Sequence, residues 1–268
     1  MRGNPRCHAR GRPASLACMC DVSFPQAPVT DPSGTRWLRR LMAAIGRHGL
    51  PSHCLVCAEA GQPGRGLCRA CEAALPWNRS ACPGCGLPLL APAPMCGTCL
   101  HRPRSLDGVR AAFVYAEPLD RLLPRFKFHH DLAAGALLSA LMVQALRRDP
   151  PADRPDALVP VPLHRARLRQ RGYDQALELA RPLARSCGLP LRADLLQRVH
   201  ATRAQSELDA AARRRNLRRA FDVRGDVPAH VVLVDDVMTT GATLEAAALR
   251  LRKAGARRVD AWVCARVP

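Results

Sequence analysis

Apolar positions from residue 109 onward come in short runs separated by longer segments of helical periodicity. Residues 109–115, 157–161, 231–234 and 259–265 have the length and apolar content of strands. Between them, residues 119–127, 132–148 and 174–186 read as helices. So does the Ala/Leu-rich stretch that follows Gly241 and runs to about Ala254, where Gly255 stops it. Residues 150–155 form a Pro-bounded linker. Strands alternating with helices predict an α/β domain built on a parallel sheet with helices on both faces. Val231, Val232, Leu233 and Val234 form an unbroken apolar run, as expected for a strand covered on both sides. The carboxyl end of such a strand is where open α/β sheets bind ligands.

The first hundred residues follow no such rhythm. Residues 1–34 are rich in Pro, Gly and Arg and lack apolar periodicity, so they read as a disordered leader. A start codon placed too early, with translation beginning at Met42 or near Val29, would account for them equally. From Thr35, Trp37, Leu38, Leu41, Met42 and Ile45 share one helical face, with Arg36, Arg39, Arg40 and Arg47 around the rest. This helix is expected to pack on the segment that follows, although basic amphipathic helices also lie on membranes. The organisation predicted is a leader over 1–34, an amphipathic helix with a cysteine-rich module over 35–104, and the α/β domain over 105–268. The longest apolar helical stretch, residues 132–146, is too short and too interrupted to span a bilayer. No secretory signal is visible, so a soluble cytoplasmic protein is expected.

Charge sharpens this picture. The 268-residue chain carries a net charge of +19, almost wholly from 39 Arg against two Lys. Guanidinium forks suit bidentate phosphate contacts, so an excess of this size points to polyanionic partners. A GC-rich genome also exchanges Lys for Arg, but that bias does not create a surplus of basic over acidic groups. Aromatics make up only 4% of the chain, so the core must rest on Leu, Val and Ala.

Two motifs carry chemistry. In the first, Asp235 and Asp236 follow the 231–234 run and lead into Thr239-Thr240-Gly241-Ala242-Thr243 at the start of a helix. Amides at a helix start, three hydroxyls and a glycine that admits close approach make a phosphate cradle. The two carboxylates beside it can accept ribose hydroxyl hydrogen bonds and hold Mg²⁺. The second motif is a ladder of four C-x-x-C turns, Cys54/Cys57, Cys68/Cys71, Cys82/Cys85 and Cys96/Cys99, with ten residues between successive pairs. Two such turns complete one tetrahedral Cys₄ site, so the ladder provides for two structural zinc ions. Sequential pairing is the simplest arrangement and interleaved pairing is possible; disulfides are the competing reading. Cys7, Cys18 and Cys20 fall in the leader, while Cys187 and Cys264 read as buried apolar thiols.

Two basic segments flank the proposed cradle. Residues 162–175, read as a loop, hold Arg165, Arg167, Arg169 and Arg171 beside His164 and Gly172. Cations there would suit an anionic group bound beside the cradle. Residues 198–208 and 213–221 are polar and long enough to form a lid that excludes water.

Residues 231–243 resemble the phosphoribosyl-diphosphate (PRPP) motif of type I phosphoribosyltransferases. Taken with the cysteine ladder, Phe126-Lys-Phe, Pro160-Val-Pro-Leu-His, Arg171-Gly-Tyr-Asp-Gln and Thr202-x-x-Gln-x-x-Leu with Arg213 and Asn216, they make residues 50–267 resemble the ComF family. The resemblance implies a double zinc ribbon joined to a type I phosphoribosyltransferase-like domain, PRPP with Mg²⁺ as ligand, and a link to single-stranded DNA and other competence proteins in natural transformation. It also implies residue roles: Asp235 and Asp236 on the ribose, Thr239, Thr240, Gly241, Ala242 and Thr243 on the 5-phosphate, Arg165 and His164 with Mg²⁺ on the diphosphate, and Arg203 and Gln205 in the lid. Two residues depart from the family pattern. Asp174 replaces a more usual Asn, which would weaken the diphosphate site or serve the metal, and Ala212 stands where an acidic residue often precedes the Arg. Two functions follow: an enzyme transferring a 5-phosphoribosyl group to an unspecified acceptor, or a non-catalytic PRPP-sensing or nucleic-acid-binding accessory.

Overall fold

The computed structural model of the chain describes residues 53–91, 93–199 and 220–268. The predicted leader, the 35–47 helix, Ala212, Arg213, Asn216 and the lid residues Arg203 and Gln205 lie outside the described residues.

The cysteine-rich module carries two short helices, α1 (Arg69–Ala73) and α2 (Gly97–His101), each beginning directly after a ladder cysteine. Four parallel strands follow in the larger domain: β1 (Gly108–Val114), β2 (Ala157–Pro160), β5 (His230–Met238) and β6 (Arg258–Arg266), in the order β1-β6-β5-β2. Helices α3 (Leu119–Phe128) and α4 (Leu132–Arg148) connect β1 to β2. Helices α5 (Arg165–Arg171) and α6 (Gln175–Cys187) and a small antiparallel pair, β3 (Leu196–Arg198) with β4 (Phe221–Val223), lie between β2 and β5. Helix α7 (Ala242–Lys253) makes the last crossover to β6. The expected α/β architecture, a phosphoribosyltransferase-like parallel sheet preceded by a cysteine-rich module, is thus the one observed.

The sheet is buried on both faces, as its continuous apolar strands require. Val231, Val232, Leu233 and Val234 are all fully buried. Phe113, Leu158, Val232 and Trp262 pack against α3, α4 and α6 on one side. Val159, Val231, Leu233 and Val263 pack against α7 and β3–β4 on the other, and the second half of the cysteine module joins that cluster. Each such side chain contributes about 1.5–3 kcal/mol when removed from water. Helices α3 and α4 approach so closely that a Cβ on Gly135 would lie 2.4 Å from Phe126 Cε2, which leaves glycine as the residue that fits.

Both sheet edges are covered. Outside β1, the Asn78 amide donates to Ala112 O (3.1 Å) and Val114 N to Pro76 O (2.9 Å), so the strap between the two cysteine clusters extends the sheet. Outside β2, Leu158 N donates to Pro190 O and Arg192 N to Leu158 O, both at 2.9 Å. An edge with its amides and carbonyls paired offers no template to another chain.

Most predicted elements lie within a residue or two of the observed ones, with three differences. The segments read as a lid, 198–208 and 213–221, start at Arg198 in β3 and end at the buried Phe221 in β4, which pair with each other. The strand expected over 231–234 runs on through Asp235 and Asp236 to Met238, because β6 continues to pair with it: Asp235 lies opposite Val263 and Met238 opposite Arg266. The segment 162–175, read as a loop, contains helix α5. His164 Nδ1 caps that helix by accepting from Ala166 N (3.3 Å), and Gly172 closes it with φ of +71°. Cys264 is buried, as expected; Cys187, at the end of α6, is only half-buried.

Candidate functional site

The ladder closes into two clusters, Cys54/Cys57/Cys68/Cys71 and Cys82/Cys85/Cys96/Cys99, each with its sulfurs within 4.8 Å of one another. Pairing is therefore sequential, not interleaved. The sulfurs are not disulfide-bonded: Cys57 and Cys68 lie 3.7 Å apart and Cys85 and Cys96 3.6 Å, against about 2.05 Å for a bond. Burial opposes ionisation of Cys54, yet the amides of Cys57, Cys68 and Val56 bring its thiol down to about 6. In the second cluster, burial and the thiols of Cys99, Cys96 and Cys82 push Cys85 up to about 12. Four thiols this crowded ionise together only around a cation, and the two clusters fit two closed, structural zinc sites.

The acidic pair stands at the carboxyl end of the sheet. Asp236 is buried, and its Oδ2 lies 3.0 Å from Lys127 Nζ on α3. Asp235 carries a carboxyl raised to about 8, first by burial and then by the adjacent charge of Asp236. Two carboxylates on consecutive residues, one buried and one half-buried and balanced by one ammonium, favour the arrival of a cation. They line a cavity of about 170 Å³ together with Arg167, Arg171 and Arg198. Thr243, from the first turn of α7, and the buried Gln175 also face it. Larger hollows, about 400 Å³ beside Trp77 and Arg148 and about 480 Å³ beside Arg181 and Leu189, lack this acidic pair.

The loop after β5 is shaped by Gly241. Its φ of +76° is unfavourable for a side-chain-bearing residue, and a Cβ there would meet Met238 Cε at 2.4 Å. This turn starts α7, a twelve-residue helix, directly beside the acidic pair. Thr239 and Thr240 are exposed, and Thr240 Oγ1 accepts from Ala242 N (3.4 Å).

Other predicted residues are placed differently. His164 and Arg165 stand at the start of α5 and do not line the cavity; Leu163 just before them and Arg167 and Arg171 further along the helix do. Asp174 lines it too, but both of its oxygens are engaged. Oδ1 accepts from Leu177 N (3.1 Å) to cap α6, and Oδ2 accepts from Leu163 N (3.0 Å). An Asn has one acceptor oxygen and could serve only one of these amides, which gives a structural reason for the acid here. Burial first, opposed by these amides and helped by Asp236, raises its carboxyl above the usual range. Lys127, Gln175 and Arg198 were not singled out individually as site residues; they reach the cavity from α3, α6 and β3, far apart in sequence.

The fold, the cavity and the cysteine clusters define a phosphoribosyltransferase-like domain that carries a double zinc ribbon. Residues 48–100 match the double zinc ribbon domain family, and residues 174–268 match the phosphoribosyl transferase domain family. The chain is 37% identical over 205 residues to the DNA utilization protein YhgH of Salmonella typhimurium, spanning 75% of this chain and 90% of that one. It is 36% identical over 208 residues to competence protein F of Haemophilus influenzae, with the same shares of 75% and 90%. Competence protein ComFC of Bacillus subtilis is 28% identical over 203 residues, 72% of this chain and 81% of that one. The chain belongs to the ComF family of competence and DNA utilization proteins. Among the described residues, no helix is long and apolar enough to cross a membrane.

Proposed function

We propose that the chain binds PRPP with Mg²⁺ and transfers or recognises its 5-phosphoribosyl group in the service of single-stranded DNA handling in the cytoplasm. The observation that carries this reading is the cavity itself, where Asp235 and Asp236 face Arg167, Arg171 and Arg198 beside the first turn of α7. Asp235 and Asp236 accept from the ribose hydroxyls, and the loop from Thr239 to Thr243 holds the 5-phosphate with its amides and hydroxyls. Arg167, Arg171 and Arg198 take the diphosphate, with Arg165 and His164 close enough along α5 to join them as the ligand enters. Mg²⁺, if held with the diphosphate beside Asp235 and Asp236, would supply positive charge to the leaving group. The arginines assist the same event electrostatically, so no covalent intermediate with the protein is required.

The DNA assignment draws on the names of the relatives and on charge. Residues 198–224 hold eight Arg against three acidic residues, and together with the zinc ribbons they offer a phosphate-binding surface of weak sequence preference. Other competence proteins would be the partners in that pathway. Calorimetry with PRPP and Mg²⁺ tests the ligand. A diphosphate-release assay across bases, ammonia and nucleic acid separates an enzyme from a sensor. Binding without turnover on any acceptor selects the non-catalytic reading, and absence of PRPP binding refutes both. For DNA, retention of a single-stranded oligonucleotide that persists unchanged at high salt, or that survives reversal of Arg213, Arg214 and Arg215 to Glu, would contradict a phosphate-driven surface.

A further inference from the structure

The two cysteine clusters stand in different relations to the phosphate loop. In the first, Cys57 is exposed, Cys54 is buried in the apolar cluster on the other face of the sheet, and Arg125 on α3 donates to the Leu55 carbonyl. The second is buried in the same apolar cluster as Leu244 and Ala247 of α7. Two arginines connect it to the two ends of the loop. At the far end, Arg104 Nη1 donates to Cys99 Sγ (3.3 Å), while its Nε and Nη2 reach Glu245 Oε1 on α7 at 2.8 and 2.7 Å. Glu245 Oε2 accepts from Ser105 N (2.8 Å), so the first turn of α7 is clasped by consecutive residues of the ribbon's exit strap. At the near end, Arg266 Nε donates to Cys85 O (3.1 Å) and its Nη1 to Met238 O (3.3 Å). Residues 239–244 are thus suspended between two tethers, and both tethers end on ligand residues of the second cluster.

We propose that Arg104 is a positioning residue that couples the second cysteine cluster to the phosphate loop, so that zinc at that cluster and PRPP with Mg²⁺ at the loop bind with linked affinities. The ligand half of this proposal rests on the PRPP reading above. Its logic is local. With zinc bound, the Cys99 sulfur is a fixed acceptor that holds one edge of the guanidinium while the other edge holds Glu245. Loss of the ion frees that sulfur, and the fork loses the partner that sets its angle against α7. Reciprocity then requires that a ligand ordering the loop also retain the metal.

The test uses the full zinc-loaded chain, wild type and Arg104→Gln. Hydrogen–deuterium exchange of residues 239–247 reads loop order without any ligand, and maleimide alkylation of Cys96 and Cys99, resolved by peptide mass, reads metal loss at the second cluster alone. Arg104→Gln is expected to speed exchange across 239–247 and, where PRPP binds, to weaken its affinity on the order of fivefold or more, within the usual range of coupling between sites. In the wild type, saturating PRPP with Mg²⁺ should slow alkylation of Cys96 and Cys99 by a similar factor, and in Arg104→Gln that protection should shrink; a role confined to stability would lower the melting temperature and leave the protection ratio unchanged. PRPP that binds the wild type without slowing alkylation overturns the linkage. If PRPP does not bind at all, the ligand reading falls, and the exchange measurement decides the tether: unchanged exchange in Arg104→Gln overturns the positioning role.

Discussion

Asp235→Asn is expected to stabilise the ligand-free protein while abolishing its affinity for PRPP. The wild-type carboxyl is raised from 3.8 to about 8, and each tenfold change in proton affinity is worth about 1.4 kcal/mol. An acid raised on folding keeps a proton that the unfolded chain releases, so stability falls as pH rises from about 4 to about 8 and then levels off. The full cost approaches about 6 kcal/mol above pH 8, and roughly 4 kcal/mol of it is present at pH 7. Residual solvent contact in the cleft screens part of this, so a gain of about 1–3 kcal/mol is the realistic expectation. In a domain of this size that is roughly 2–12 °C in Tm. Asn retains the oxygen that accepts from Asp236 N (2.8 Å), so the substitution removes charge without orphaning a backbone amide. Thermal denaturation of both proteins from pH 4 to pH 9 should give curves that meet near pH 4 and separate steadily up to about pH 8. Adding PRPP and Mg²⁺ at about a thousand times the dissociation constant should reverse the order, since the wild type then gains about 4.1 kcal/mol and the variant little. A variant no more stable than the wild type at pH 8.5 would show that the cleft does not penalise this carboxylate, and the argument for a cation-seeking pair would fail with it.

Metal analysis after dialysis should give two zinc ions per chain, and a content near zero with oxidised cysteines would exclude the Cys₄ reading. Gly241→Ala forces both an unfavourable φ and a Cβ into Met238 Cε; it should cost about 1–3 kcal/mol in Tm measurements and weaken PRPP binding by more than tenfold in calorimetry. Asp174→Asn should lower stability by about 1–3 kcal/mol, because one of two amides loses its acceptor; denaturation showing no change would mean that water replaces it.

The fold was legible in the sequence where a local signal was also a structural cause. The apolar run at 231–234 is the covered strand that its composition called for, and the four evenly spaced C-x-x-C turns gather into the two clusters of the simplest pairing. The sequence places the end of β5 too early because two aspartates look like the start of a loop, whereas pairing with β6 is a property of another segment. Helix α5 was missed because an arginine-rich stretch with one exposed leucine, Leu168, has no apolar face to reveal a period; its caps, His164 and Gly172, were the available signal. Lys127, Gln175 and Arg198 join the cavity through tertiary packing alone. The same holds for Arg104 and Glu245, whose contact spans 141 residues of sequence.

The strap at 76–78 that lies along β1 also bears on how the chain is made. The ribbon precedes β1 in the order of synthesis, so it can take up metal before any strand of the sheet has formed. When β1 follows, its outer rim meets a partner already in place, and the slow non-local pairing with β6 begins from a strand with one side occupied. A nascent chain starved of zinc would instead present β1 with a bare rim while waiting about 150 residues for β6. The strap thus ties the ribbon to the order in which the sheet is assembled, as well as to its finished edge.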